Sequence, residues 1–149
     1  MALYRHVGDK QGLLDGIVER LLDELGMPDA ALPWPERLAA LTEGMRAAAR
    51  RHPEAFGLLL RRPLTTPAAV ARRAALYAGL RDAGVPDADV PRVERLLSTF
   101  LLGFAFSEVS GRFASHERAE LDADLAWVQA LARAALEGGA LATSPHVER

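Results

Sequence analysis

Pro91-Arg92-Val93-Glu94-Arg95-Leu96-Leu97-Ser98-Thr99-Phe100-Leu101-Leu102-Gly103-Phe104-Ala105-Phe106-Ser107-Glu108-Val109-Ser110-Gly111-Arg112-Phe113 reads as one long helix with apolar residues on two sides. With side chains about 100° apart, Val93, Leu97, Phe100 and Phe104 share one face, and Leu102, Phe106, Val109 and Phe113 fall nearly opposite. A helix apolar on two sides has to be covered on two sides. Gly103, Ser107, Ser110 and Gly111 run between the faces as a strip of small residues that admits a close neighbour. The next helix, over 117–137 and capped by Ser115, offers Leu121, Leu125, Val128 and Ala132 on one stripe. Trp127, Ala123, Ala130 and Ala134 form another. Two arrangements satisfy this excess of apolar surface: the 91–113 helix is central within one chain, or one face pairs with its copy across a two-fold axis. In the second, Leu102, Phe106, Val109, Phe113, Leu121, Leu125 and Val128 are the candidate dimer contacts, and Glu at 106 or 109 is expected to split the dimer.

Working back toward the N-terminus, the same periodicity recurs. Asp9 is placed to cap a helix carrying Leu14, Ile17, Val18, Leu21 and Leu25, which Gly26-Met27-Pro28 stops. A second helix starts at Pro35, presents Leu38, Leu41, Met45, Ala48 and Ala49, and ends at His52 before Pro53. A short helical stretch from Pro53 to Arg62 carries Phe56, Leu58, Leu59 and Leu60. After Pro63, Thr66 caps a helix bearing Val70, Ala74, Tyr77 and Ala78, and Gly84-Val85-Pro86 has the form of a left-handed helix stop. Composition agrees: Ala and Leu supply 52 of 149 residues and Val, Ile and Thr only 15, so the fold class is all-α. The length suits one domain. With no Cys, there is no disulfide framework and no thiolate chemistry. No apolar run approaches the roughly 20 residues of a membrane span, and Met1-Ala2-Leu3-Tyr4-Arg5-His6 is unlike a secretory signal, which points to the cytoplasm.

Net charge is −2, but it is unevenly spread: residues 1–45 sum to −4, 46–81 to +7 and 82–149 to −5. The basic block holds Arg46, Arg50, Arg51, Arg61, Arg62, Arg72, Arg73 and Arg81. It reads either as solvated helix faces or as anion contacts suited to the planar guanidinium. The titratable groups form no catalytic constellation: His6, His52, His116 and His146 are scattered, and no nucleophile, metal or phosphate-loop motif is present. No enzyme, metal or cofactor is expected. Glu108 and Arg112, spaced i, i+4, are either a surface ion pair or a polar group at a pocket wall. Met45, Phe56, Leu59, Leu60, Tyr77, Phe100, Phe104 and Glu108 suit a small-molecule pocket between helices, and the apolar ones equally suit a solid core.

Leu3-Tyr4-Arg5-His6-Val7-Gly8-Asp9-Lys10-Gln11-Gly12-Leu13-Leu14 resembles the end of the DNA-binding domain of TetR-family transcriptional regulators, where the recognition helix leads through a short turn into the next helix. Trp34, the His52-Pro53 junction, the Arg62-Pro63 break and the Gly84-Val85 stop resemble the tetracycline-repressor-like branch. The resemblance implies an all-α fold whose last two long helices form a four-helix bundle across a homodimer. It implies three parts: a helix-turn-helix remnant over 1–25, an effector-binding and dimerisation domain over 26–139, and a flexible tail over 140–149. It also implies phosphate contacts from Tyr4, His6 and Lys10, and a repressor controlled by a small-molecule effector.

The sequence departs from that pattern in two ways. It opens near the back of the recognition helix, so operator binding is expected only if the preceding helices are supplied. Phe56-Gly57-Leu58-Leu59-Leu60 offers no His for a chelated metal, which points to an apolar or aromatic effector. The alternative reading is a helical dimerisation or interaction module without DNA or effector.

Overall fold

Helix α2 (Trp34–Arg51) is the hub of the computed structural model, which describes residues 10–137. Its buried positions Leu38, Leu41, Met45, Ala48 and Ala49 share one face, flanked by buried Thr42 and Arg46, and α1, α3, α5, α6 and α7 all meet it. Before it comes α1 (Lys10–Glu24), and after it α3 (Pro53–Phe56) and α4 (Leu58–Arg61), then α5 (Pro67–Asp82), α6 (Val90–Val109) and α7 (Arg118–Glu137). α6 lies along α2 and also meets α3, α4 and α5, while α7 rests on α2. The main core joins Val18, Leu21 and Leu22 of α1 to Met45, Phe56, Leu59, Leu101 and Ala105. A smaller one gathers Leu80, Val85 and Val90 beside Trp34. The described residues are helical and contain no strand, and no helix among them is long and apolar enough to cross a membrane.

Local chemistry explains the boundaries. Pro35 sits in the first turn of α2, where a missing N–H costs nothing. The Thr66 hydroxyl accepts from the Ala69 N–H at 3.3 Å ahead of α5. Gly84 has φ +88° and the Val85 N–H returns to the Leu80 carbonyl at 3.0 Å, closing α5 with Val85 buried behind it.

Four local expectations change. The 53–62 stretch is two helices, divided at Gly57, where a side chain would meet Phe106 Cε2 at 3.2 Å as α6 passes. α5 is rotated: Val70 is 53% exposed, with Ala74 and Ala78 also outward, whereas Ala69, Gly79 and Leu80 face in. α6 stops at Val109 because Gly111, at φ +83°, turns the chain, so Phe113 lies beyond the helix. Ser115 does not cap α7; its hydroxyl meets His116 Nδ1, and the Glu120 carboxylate accepts the Glu117 N–H at 3.0 Å instead. Asp9, Tyr4 and His6, like the 140–149 tail, lie outside the described residues.

Close approach of α1 and α2 is set at Gly44, where a Cβ would stand 2.7 Å from the Leu25 carbonyl oxygen. Because that neighbour is backbone, Gly44→Ala is expected to lower unfolding stability by about 1–3 kcal/mol, measured by urea denaturation. A change in the midpoint with the denaturant slope preserved would place the effect in the folded state.

Candidate functional site

A cavity of about 350 Å³ opens between α1, α2, α4, α5 and α6. Leu22 of α1, Leu25 just beyond it, Met45 of α2, Leu59 of α4 and Leu102 of α6 give it apolar walls. Arg72, Arg73 and Tyr77 of α5, with Glu94, Arg95 and Ser98 of α6, supply polar groups. A mostly apolar concavity of this size with a few polar groups is the usual form of a small-molecule site.

Among the residues proposed from sequence for a pocket, Met45, Leu59 and Tyr77 line this cavity together. Phe56 is fully buried in the main core, and Leu60 is exposed on α4. Phe100 and Phe104 stack at 5.9 Å on the other side of α6, with Phe104 in turn 5.3 Å from Phe113. Lys10 is the exposed first residue of α1. The candidate dimer residues divide as well. Leu102 lines the cavity, Phe106 and Val109 pack on the core of their own chain, and Leu121 and Leu125 are buried. Val128 lines an open apolar groove of about 280 Å³ with Trp34, Val93, Leu96, Leu97, Phe100 and Ala132. Leu96 and Trp127, at 65% and 67% exposure, and Leu131 extend the outward apolar surface of α6 and α7.

Glu108 does not pair with Arg112, because α6 ends before the i, i+4 spacing is completed. It is held by Arg46 of α2, whose Nε and Nη2 donate to its two carboxylate oxygens at 2.7 Å each. Both side chains are 8% exposed. Arg46 also reaches Asp122 of α7 at 2.6 Å, and Arg50 adds a 3.3 Å contact to Glu108. Gln129 donates to the Thr42 hydroxyl at 3.3 Å alongside. Burial pushes the Glu108 carboxyl up, but hydrogen bonds and charge from Arg46 and Arg50 outweigh it and hold the group below its ordinary value. The Arg46 hydrogen bond lowers Asp122 likewise, and Glu24 is lowered by hydrogen bonds from His52 and Arg51.

The basic block is largely spent inside the molecule. Arg51 and His52 meet Glu24 at 3.0 and 2.8 Å, while Arg62 reaches Asp15 and, at 2.8 Å, Gln11, so three side chains of the middle third hold α1. Arg72 donates to the carbonyls of Leu22, at 2.8 Å, and Gly26 at the end of α1. Arg81 pairs with Asp87 at 2.5 Å. Arg81–Asp87 apart, neither the solvated-face nor the anion reading of this block anticipated such cross-links, because partners 27 to 76 residues away leave no mark on local spacing. Arg72, Glu94 and Ser98 were missed as cavity residues for the same reason.

Among the described residues, seven helices with an open cavity between them beside an exposed apolar helix pair define an all-helical type of domain. Residues 27–137 match the model of the tetracyclin repressor-like C-terminal domain, and the chain belongs to that family. An HTH-type transcriptional regulator of Saccharopolyspora erythraea is 32% identical over 108 residues, covering 72% of this chain and 46% of that protein. The chain thus spans less than half the length of this relative. The TetR family protein ActR of Streptomyces coelicolor, in its complex with actinorhodin, superposes with a TM-score of 0.68 at 22% identity, covering 97% of this chain and 82% of that one. BioQ of Mycobacterium smegmatis gives 0.62 at 27% identity, covering 96% and 79%.

The lowered carboxylates fix the sign of the acid response. Their contribution is complete above the ordinary carboxyl value and is lost as pH falls through the lower folded value. Thermal melts are expected to be steady from neutral pH down to about 5 and to fall steeply below about 4, with Glu108→Gln flattening that fall. Arg46→Met, which strands Glu108, is expected to cost about 3 kcal/mol or more in urea unfolding, and Arg46→Met with Glu108→Leu to recover most of it.

Proposed function

We propose that the chain is the effector-binding and dimerisation body of a TetR-family transcriptional regulator, with DNA affinity set by an apolar or aromatic small molecule. The observation that carries this reading is the cavity walled by α1, α5 and α6. Its wall includes the last turns of α1, the helix that the sequence resemblance makes continuous with the DNA-reading head. Ligand that favours one setting of α1 over another shifts the spacing of two heads by its differential affinity for the two settings. Tyr4, His6 and Lys10 take the phosphate contacts in this scheme. A crystal structure of ActR contains actinorhodin, so a neighbour of this fold holds a ligand.

The second copy is proposed to sit on the outward face of α6 and α7. Leu96, Phe100, Trp127, Val128 and Leu131 supply it, in place of Phe106, Val109, Leu121 and Leu125, which their own chain uses. Large exposed apolar residues clustered on two adjacent helices mark an association surface.

In sedimentation velocity at micromolar concentration the chain is expected to run as a dimer. Phe100→Glu should halve the mass with helix content retained, whereas Phe106→Glu should lower the melting temperature through the core. A monomeric wild type would remove the dimerisation half of the proposal. For the effector half, 2-naphthol is expected to raise the melting temperature of the wild type. Leu102→Trp, which fills the cavity, should abolish that rise.

A further inference from the structure

We infer that the cavity takes an amphipathic organic anion whose acidic group binds Arg72, and that binding draws this guanidinium off the last turn of α1. The inference rests on the reading of the cavity as a ligand site and adds the charge of the ligand and the route of its signal. Three guanidinium groups border the cavity, those of Arg72, Arg73 and Arg95, against the single carboxylate of Glu94. Among the described residues no carboxylate lies within ion-pair distance of any of the three. Arg46, Arg50, Arg51, Arg62 and Arg81, in the basic block that also holds Arg72 and Arg73, each have an acidic partner.

Arg72 is the half-buried member, and its donors go to two neutral acceptors, the carbonyls of Leu22 and Gly26. Burial makes its charge unfavourable and pushes the group below its ordinary value, with only the more distant Asp23 working against that. A carboxylate is a better partner for a guanidinium than a carbonyl, through a two-point, charge-assisted contact. An anion entering the cavity therefore competes for Arg72 with the end of α1. If it wins, the Leu22 and Gly26 carbonyls lose their cationic cap, and the last turn of α1 loosens from α5. Ligand occupancy and the setting of α1 are linked through one side chain.

Calorimetric titration of the full chain with 2-naphthoate and with its uncharged isostere 2-naphthamide tests the charge preference without any variant. The wild type is expected to bind naphthoate at least about tenfold more tightly. Arg72→Met should bring naphthoate down to the level of the amide and leave the amide unchanged. Hydrogen exchange should show the Leu25 and Gly26 amides exchanging faster with naphthoate bound and not with naphthamide. Equal binding of the two probes to the wild type overturns the anion preference and leaves the cavity reading standing. Unchanged or slower exchange at Leu25 and Gly26 with naphthoate bound overturns the coupling. If neither probe binds at millimolar concentration, the cavity reading itself fails and the inference with it.

Discussion

Arg46 places a full positive charge in the middle of a helical core, and the packing of three helices follows from how that charge is satisfied. A buried guanidinium is tolerated only when its donors meet acceptors of opposite charge in good geometry. Glu108 from α6 supplies one and Asp122 from α7 supplies another, so both helices are held in one register against α2. The ionic junction adds a directional constraint to the apolar packing of Met45, Ala48, Ala49, Leu101 and Ala105. It bears most on α7, whose buried residues are chiefly Leu121 and Leu125.

With its register fixed, α6 becomes a partition. Pro91, Glu94, Ser98 and Leu102 face the cavity, while Val93, Leu96, Leu97 and Phe100 line the outward groove. One side of this helix, which includes the polar Glu94 and Ser98, thus borders the cavity beside α5, and the other carries exposed apolar residues. In the proposed scheme, ligand and second copy meet opposite sides of this one helix.

The all-helical fold was legible because it is written in local signals: Pro35 and Pro67 at helix starts, Thr66 as a cap, Gly84 as a stop, and apolar residues at three- and four-residue spacing. The two-sided character of the 91–113 segment was legible too. Which side faces inward was not, since Phe100 and Phe106 are equally apolar and only the approach of α3 and α4 at Gly57 decides that Phe106 is covered. α5 misled for a related reason. Its inward side is built from Ala69, Gly79 and Leu80, and the bulkier Val70 points to solvent, so size was a poor guide where close helix contact favours small residues. The cavity was the least legible feature. It is a gap left between helices, whereas Met45, Leu59 and Leu102 have the same spacing they would have in a filled core.

The distribution of arginines separates what holds still from what can move. The Arg46–Glu108 pair between α2 and α6 is buried, so it is shielded from salt and breaking it strands a charge, while Asp122 of α7 completes the junction from a half-exposed position. The links to α1 are of another kind. Arg51 and Asp15 are exposed and His52 is half-buried, and pairs of this sort contribute little and weaken further as salt rises. α1 is thus fastened by its apolar stripe of Val18, Leu21 and Leu22 and steered by weak polar ties, among them the hold of Arg72 on its final carbonyls. In the proposed scheme, a body that reports a bound ligand needs a rigid reference and an element whose setting responds; the Arg46 junction is suited to the first role, and α1, with its more exposed polar ties, to the second.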